Sequence, residues 1–250
     1  MAIKSFKRYE KKFILTQEQY DALIPRLLKY MNTDQHCKFN KNYSIYNIYY
    51  DTNNNDVIRH SIAKPYYKEK LRLRSYTVPN SLDDIVFLEL KKKINGIVNK
   101  RRVVLTLNEA YKFINKGIEP ASNDYINKQV INEIQYYLKK NKVYPKVYIS
   151  YSRKAFFAND DRDFRLTFDS QIITRRDDLT LESGSFGQDI LGKGKYLMEV
   201  KILGAMPLWF TKILTELEIY NTHFSKYGNE FMNYCLNNSN IDIKGREEVC

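Results

Sequence analysis

The sequence predicts an α+β fold built on a closed antiparallel β-barrel of about eight strands, with helices packed outside it. Three observations lead there. Short segments alternate apolar and charged residues, the period of a strand whose two faces meet different surroundings. The chain is rich in Tyr, 21 in all, and Tyr-rich, β-branched segments suit half-buried strands. Stretches with helical periodicity and cap residues lie between the strands. Antiparallel strands of this kind can curl until the charged faces line a lumen and the apolar faces meet covering helices.

In chain order, a strand is predicted over Lys7–Leu15, with Arg8, Glu10 and Lys12 on one face. Thr16 then caps an amphipathic helix to about Tyr30. Tyr43–Tyr50 is a second strand, closed by the turn-rich Asp51–Asp56, and a short helical piece follows up to Ala63. Lys68–Tyr76 (KEKLRLRSY) places Lys68, Lys70, Arg72 and Arg74 on one face and Leu71 and Leu73 on the other. Val86–Ile94 and Ile97–Leu107 form a hairpin around Asn95-Gly96. Asn108 is expected to cap a helix to about Lys116, and a second helix runs from Ser122 to Lys140. Val143–Phe157, Phe164–Asp169 and Tyr196–Leu203 complete the strands. Pro207 opens a helix to about Ile219, and a final helix over Ser225–Leu236 precedes a polar tail from about residue 238. No repeat or linker interrupts this, so a single domain is expected.

Composition narrows the function. Hydrophobic residues make up 43%, enough for a core. Lys and Arg number 41 against 29 Asp and Glu, a net charge of +12, so a polyanion is the expected partner. The three cysteines, Cys37, Cys235 and Cys250, form no CxxC and suit a reducing compartment. No secretory signal or membrane-length apolar run is read, so a soluble cytoplasmic protein is expected.

The cationic strand faces carry the chemistry. A buried face of Lys and Arg is very costly unless an anion meets it. The pattern recurs in Glu10 and Lys12, Lys68, Arg72 and Arg74, Glu89 and Lys91, Lys100 and Arg102, Arg165 and Asp169, and Glu199 and Lys201. Such a lining suits a polyphosphate with a divalent metal. Arg forks phosphate bidentately, Lys supplies a point charge, and hard metals take carboxylate and phosphate oxygens together.

The segments RYEKKFIL (8–15), KLRLRSY (70–76), LELKKK (88–93), NKRRVVL (99–105), YSRKAFF (151–157), DFRLTFD (163–169), LMEVKI (197–202) and HFSKYG (223–228) occur in an order that resembles the VTC-type polyphosphate polymerases, of the triphosphate tunnel metalloenzyme (CYTH-like) group. The resemblance implies a tunnel that passes the γ-phosphoryl group of ATP to a growing polyphosphate chain. It implies that Lys12, Arg72, Arg74, Lys91, Lys100, Arg153 and Arg165 hold phosphates at the catalytic centre, and that Lys226, Lys201, Arg102 and Lys70 are further phosphate contacts. Glu199 would be the metal carboxylate for Mn2+ or Mg2+. Glu89 and Glu10 would be second carboxylates, for metal or for orienting cations. Orthophosphate, pyrophosphate or polyphosphate would be the acceptor, with no nucleic acid expected. Regulation and translocation would come from partners, including a separate membrane protein. Two departures stand out. Arg8 occupies the first position of the wider group's ExExK opening, which favours polymerase over a two-metal triphosphatase, and His223 stands where a second Lys is expected.

Other motifs carry less. GQDILGK (187–193) has P-loop spacing but lacks the following Ser or Thr and leads into a strand. His36 and His60 have no metal-ligand spacing, and Tyr43, Tyr46, Tyr49 and Tyr50 read as strand packing. The rival functions are a tunnel triphosphatase and a non-catalytic polyanion-binding module.

Overall fold

The computed structural model describes residues 9–34, 37, 42–95, 97–122, 124–161 and 163–247, with side chains as far as residue 238. Arg8, His36, Gly96 and Cys250 lie outside these residues. In chain order the first elements are β1 (Tyr9–Thr16), α1 (Gln17–Leu27), β2 (Met31–Thr33), β3 (Tyr43–Asp51), α2 (Asp56–Ile62), β4 (Tyr67–Ser75), β5 (Ile85–Ile94) and β6 (Ile97–Thr106). Then follow α3 (Leu107–Lys116), α4 (Tyr125–Lys140), β7 (Tyr144–Ala158), β8 (Arg165–Arg175), β9 (Gln188–Asp189), β10 (Lys195–Ile202), α5 (Leu208–Glu216), β11 (Asn221–Thr222) and α6 (Lys226–Glu247).

All strands belong to one antiparallel sheet, whose main path runs β11-β1-β10-β8-β7-β3-β4-β5-β6. The registers put Arg72 opposite Glu89, Lys70 opposite Lys91 and Lys91 opposite Lys100. In the other half of the sheet Lys12 faces Glu199, Glu10 faces Lys201, and Arg153 faces Asp169. Directly opposed residues share a face, so every one of these side chains lies on the concave face.

The sheet curls, but the expected closed barrel does not form. Its path ends at β6 on one side and at β11 and β1 on the other, with no ladder between those ends among the described residues. The physical reason is on β6, whose middle reads Asn99, Lys100, Arg101 and Arg102; charged side chains on an edge discourage a further strand. Curling still brings the ends together. Five strands separate β1 from β5 along the path, yet, against burial, Lys91 of β5 helps to lower the Glu10 carboxyl of β1. The result is a trough with a tunnel's lining and an open seam.

The convex face is the core. Leu71, Leu73, Val86, Leu88, Leu90, Val103 and Leu105 pack under Phe113 of α3 and Ile131, Ile134 and Tyr137 of α4. Phe13, Leu15, Phe156, Phe168 and Val200 pack under Leu23 and Leu27 of α1 and Phe210 and Leu214 of α5. Each fully buried side chain of this size contributes about 1.5–3 kcal/mol, so the alternation fixes which face turns inward. The helices are not all outside, however. Ile58 of α2 and Tyr227 and Phe231 of α6 pack on the concave side, against Ile45, Tyr49, Val147, Ile149 and Ile172. They fill one end of the trough beside β3, β7 and β8.

Local chemistry adjusts several boundaries. Thr16 caps α1 as expected, in a capping box with Gln19. Thr106, not Asn108, caps α3, because it forms a capping box with Glu109. Asp124 caps α4, which begins at Tyr125 instead of Ser122. Asn95 takes a left-handed φ of 46°, as a two-residue hairpin between Ile94 and Ile97 requires. Helix α6 continues to Glu247, through the stretch expected as a tail.

Candidate functional site

Two charge clusters sit side by side in the trough. The first surrounds Glu89, which is fully buried. Arg72 Nε and Nη2 lie 2.7 and 2.6 Å from its Oε2, and Arg102 Nε donates to Oε1 at 2.6 Å. Lys100 Nζ is 3.6 Å away and Arg74 Nε 3.9 Å. Burial alone would raise the Glu89 carboxyl, but Arg72, Arg74, Lys100 and Arg102 together hold it far below the usual carboxylate range. Glu89 therefore spaces and orients four cations. Arg74 is fixed further: its Nε donates to Asn47 Oδ1 at 2.8 Å and its Nη2 to the Tyr151 hydroxyl at 3.0 Å. Arg72 donates to the Tyr49 hydroxyl at 3.1 Å.

The second cluster joins β1, β7, β8, β10 and the first residue of α6. Arg153 forks Asp169 with bonds of 2.6 and 2.7 Å. Lys226 Nζ lies 2.6 Å from Asp169 Oδ2 and 3.0 Å from Glu199 Oε1. Lys12 Nζ is 3.3 Å from Glu199 and 3.4 Å from Glu10, and it also donates to the Phe224 carbonyl. Against burial, Lys226, Lys12, Arg153 and Lys201 hold Glu199 well below the ordinary carboxyl value. Burial would lower Lys226, yet Asp169 and Glu199 outweigh it and raise it.

Cations without an ion pair lie between the clusters. Lys70, Lys91 and Lys201 take part in no salt bridge among the described residues, the nearby pairs being those of Lys12, Arg153 and Lys226. Burial, followed by Lys91, Lys68 and Lys12, pushes the Lys70 ammonium down to about 7. Burial likewise lowers Lys91 and Lys201. Lys70 stands opposite Lys91, and Lys91 opposite Lys100; like charges directly opposed are destabilising, so an anion lodged among them would be favourable.

Each residue expected to hold phosphate or metal, except Arg165, therefore lies inside the trough or on its wall. Arg165 shares the concave face with Lys201 but is exposed at the outer end of β8. His223 is exposed just before α6. Asp169 is the residue to which the sequence reading gave no role; only its place on the face of Arg165 pointed to it. Tyr49, which the sequence reads as strand packing, and Tyr151 and Asn47, which carry no signal of a role in the sequence, position Arg72 and Arg74.

Among the described residues no three His, Cys, Asp or Glu converge as a ready-made metal site. Glu89 does not suit a metal, since Arg72 and Arg102 engage both its oxygens. Glu199 and Glu10 suit one better. Both face the trough through Lys12, and the buried Thr167 hydroxyl, opposite Glu199 in register, has no hydrogen-bond partner. Hard cations take such oxygens together with phosphate.

The VTC domain family matches residues 7–233. The chain belongs to that family. No curated protein gives a significant sequence match. Two solved structures share the fold. One is a Bacillus halodurans protein provisionally named an adenylate cyclase, with TM-score 0.51 and 15% identity over 88% of this chain and 95% of that one. The other is a Hippeastrum protein provisionally named an adenylyl cyclase and described as having a dominant triphosphatase activity, with TM-score 0.51 and 16% identity over 88% of this chain and 93% of that one. At this identity the likeness is one of fold. Together the family and the neighbours support a triphosphate tunnel fold. No helix among the described residues of this VTC domain is long and apolar enough to cross a membrane.

Proposed function

We propose that this VTC domain is an ATP-dependent polyphosphate polymerase. The terminal oxygen of the acceptor bonds to the γ-phosphorus of ATP, the bond to the β,γ-bridging oxygen breaks, and ADP leaves; the chain grows by one phosphate. The observation that carries this reading is the three lysines outside any salt bridge among the described residues, Lys70, Lys91 and Lys201, beside three rigidly held arginines, Arg72, Arg74 and Arg153. A single triphosphate needs few cations, whereas a donor and an acceptor chain in line need a continuous run of them. Phosphoryl transfer asks the protein mainly to position groups and neutralise charge. Arg72, Arg74 and Arg153, held by Glu89, Asn47 and Asp169, are suited to grip the phosphates in fixed geometry. Lys12, Lys70, Lys91, Lys100 and Lys201 would supply further positive charge along the chain of phosphates. Glu199 with Glu10 would hold Mn2+ or Mg2+, which supplies further neutralisation on the phosphate oxygens when bound.

The test is incubation of the purified protein with ATP and Mn2+ or Mg2+, with ADP and product length followed on a gel. The expected result is ADP together with a ladder of acid-labile polymer. Release of orthophosphate with no polymer would instead establish a tunnel triphosphatase, the reading that the Hippeastrum protein's described activity favours. Salt-sensitive binding without turnover would leave only a polyanion-binding module.

A further inference from the structure

The lining of the trough changes character along its length. The concave face of β5 reads Ile85, Phe87, Glu89, Lys91 and Lys93, and that of β6 reads Thr106, Val104, Arg102, Lys100 and Val98, in register with it. The same face of β4 runs from Tyr76, just beyond the strand, through Arg74 and Arg72 to Lys70 and Lys68. One mouth is thus aromatic and apolar, the next layer is arginine, and the deeper layer is lysine. Ile85 and Val104 are both 53% exposed at that mouth, and Tyr76 is 37% exposed. Apolar side chains facing a basic trough gain nothing from a purely ionic ligand.

The aromatic groups are held in place. The Tyr76 hydroxyl accepts from Arg102 Nη2 at 3.1 Å. Its ring meets the Phe87 ring edge-on at 5.3 Å and the Tyr43 ring at 6.3 Å. The Arg102 guanidinium lies 4.7 Å over the Phe87 ring, with its own position fixed by Glu89. Tyr43 stands opposite Arg153 in register, so the platform borders both charge clusters. A half-exposed ring secured on several sides is preorganised for stacking, because little freedom is lost when a flat partner lands on it.

We propose that Tyr76, with Phe87, Tyr43 and Val104, forms a nucleobase site at this mouth, so that a nucleoside triphosphate enters base-outward with its phosphates directed at Arg74 and Arg72. From Tyr76 to Arg72 is four residues, about 14 Å along a strand, a span on the scale of an extended nucleoside triphosphate. The ligand is bipartite, as the lining is. Recognition by a π-face is tolerant of base identity; purine nucleotides are favoured by ring area, and adenine and guanine are weakly distinguished. The inference rests on the reading of the trough as a triphosphate site, but not on polymer formation.

The experiment is calorimetric binding of the non-hydrolysable imido analogues of ATP, GTP and tripolyphosphate to the full chain in Mg2+. The wild type is expected to bind the ATP and GTP analogues within a few-fold of each other, and both about tenfold more tightly than the analogue lacking a nucleoside. Tyr76→Ser is expected to remove that tenfold advantage while leaving imidotriphosphate affinity within twofold, and Tyr76→Phe to keep it. Val104→Asp, which leaves the Tyr76 and Arg102 contacts in place, should reduce it in part. Equal wild-type affinity for all three ligands overturns the base site alone, as does equal weakening of all three by Tyr76→Ser. Should Tyr76→Ser fail to fold, the wild-type comparison and Val104→Asp still decide. Absence of any wild-type binding to imidotriphosphate overturns the triphosphate reading itself.

Discussion

The Lys226 ammonium lies 2.6 Å from the Asp169 carboxylate, so the first residue of the last helix is bonded into the middle of the sheet. The contact ties the strand that carries Asp169 to a helix that begins 57 residues later in the chain. Lys226→Met removes one cation aimed at the trough and leaves Asp169 held by Arg153. Turnover of ATP is expected to fall about 100-fold, the usual loss for one charge-stabilising donor, with the fold retained on circular dichroism. Unchanged turnover would place Lys226 outside the reacting centre.

Asp169→Asn is the more damaging exchange. It breaks the fork to Arg153 and the bond to Lys226 together. Removing one partner of a buried ion pair costs about 3–5 kcal/mol, so denaturant unfolding should show a loss of that size. Glu199→Gln should lose less, because Lys226 and Arg153 keep Asp169 as partner.

Glu89→Gln leaves Arg72, Arg74, Lys100 and Arg102 around a neutral amide. The melting temperature is expected to fall, and added tripolyphosphate should restore more of it in this variant than it adds to the wild type. An equal gain in both proteins would mean that the anion does not lodge beside these four cations.

Lys70 gives a pH dependence whose sign follows from its environment. Burial and the neighbouring lysines bring its value from 10.5 in the unfolded chain to about 7. Between those values the unfolded chain binds more protons than the folded one, so this residue's contribution makes stability rise with pH. Its penalty is complete below about 7 and disappears towards 10.5. Lys70→Met should therefore stabilise the protein most at pH 6, with the difference narrowing at pH 9, as measured by urea unfolding at each pH. A constant difference would show that Lys70 titrates normally.

Tyr227→Phe removes the hydroxyl that donates to buried Asp51 at 2.8 Å. Asp51 keeps the amides of Thr52, Val57 and Ile58, so the cost should be about 1–3 kcal/mol. Because Tyr227 follows Lys226, the KM for ATP should rise as well.

Much of the trough is legible in single strands. The two-residue period of KEKLRLRSY is set by covalent geometry, so Arg72 and Arg74 had to share a face, and Leu71 and Leu73 had to share the other. What a strand cannot report alone is its register with strands far away in sequence. Arg153 meets Asp169, and Arg72 meets Glu89, only through pairings between distant segments, so the sequence alone assigns Asp169 no role and does not decide whether Glu89 serves a metal or orients cations. Alternation also says nothing about whether the last strand finds the first, which depends on the charges at the β6 edge. The inward position of α2 and α6 was hidden for a similar reason: their apolar residues could pack on either side of a curved sheet.

The gap between β6 and β1 bears on how a polymer would be held. A ring surrounds a chain, so release requires an end to slide out, and repeated additions follow from topology. A slit permits sideways escape of any internal segment. In this protein, persistence on one growing molecule would then depend on ionic grip alone, and would weaken steeply as salt increases.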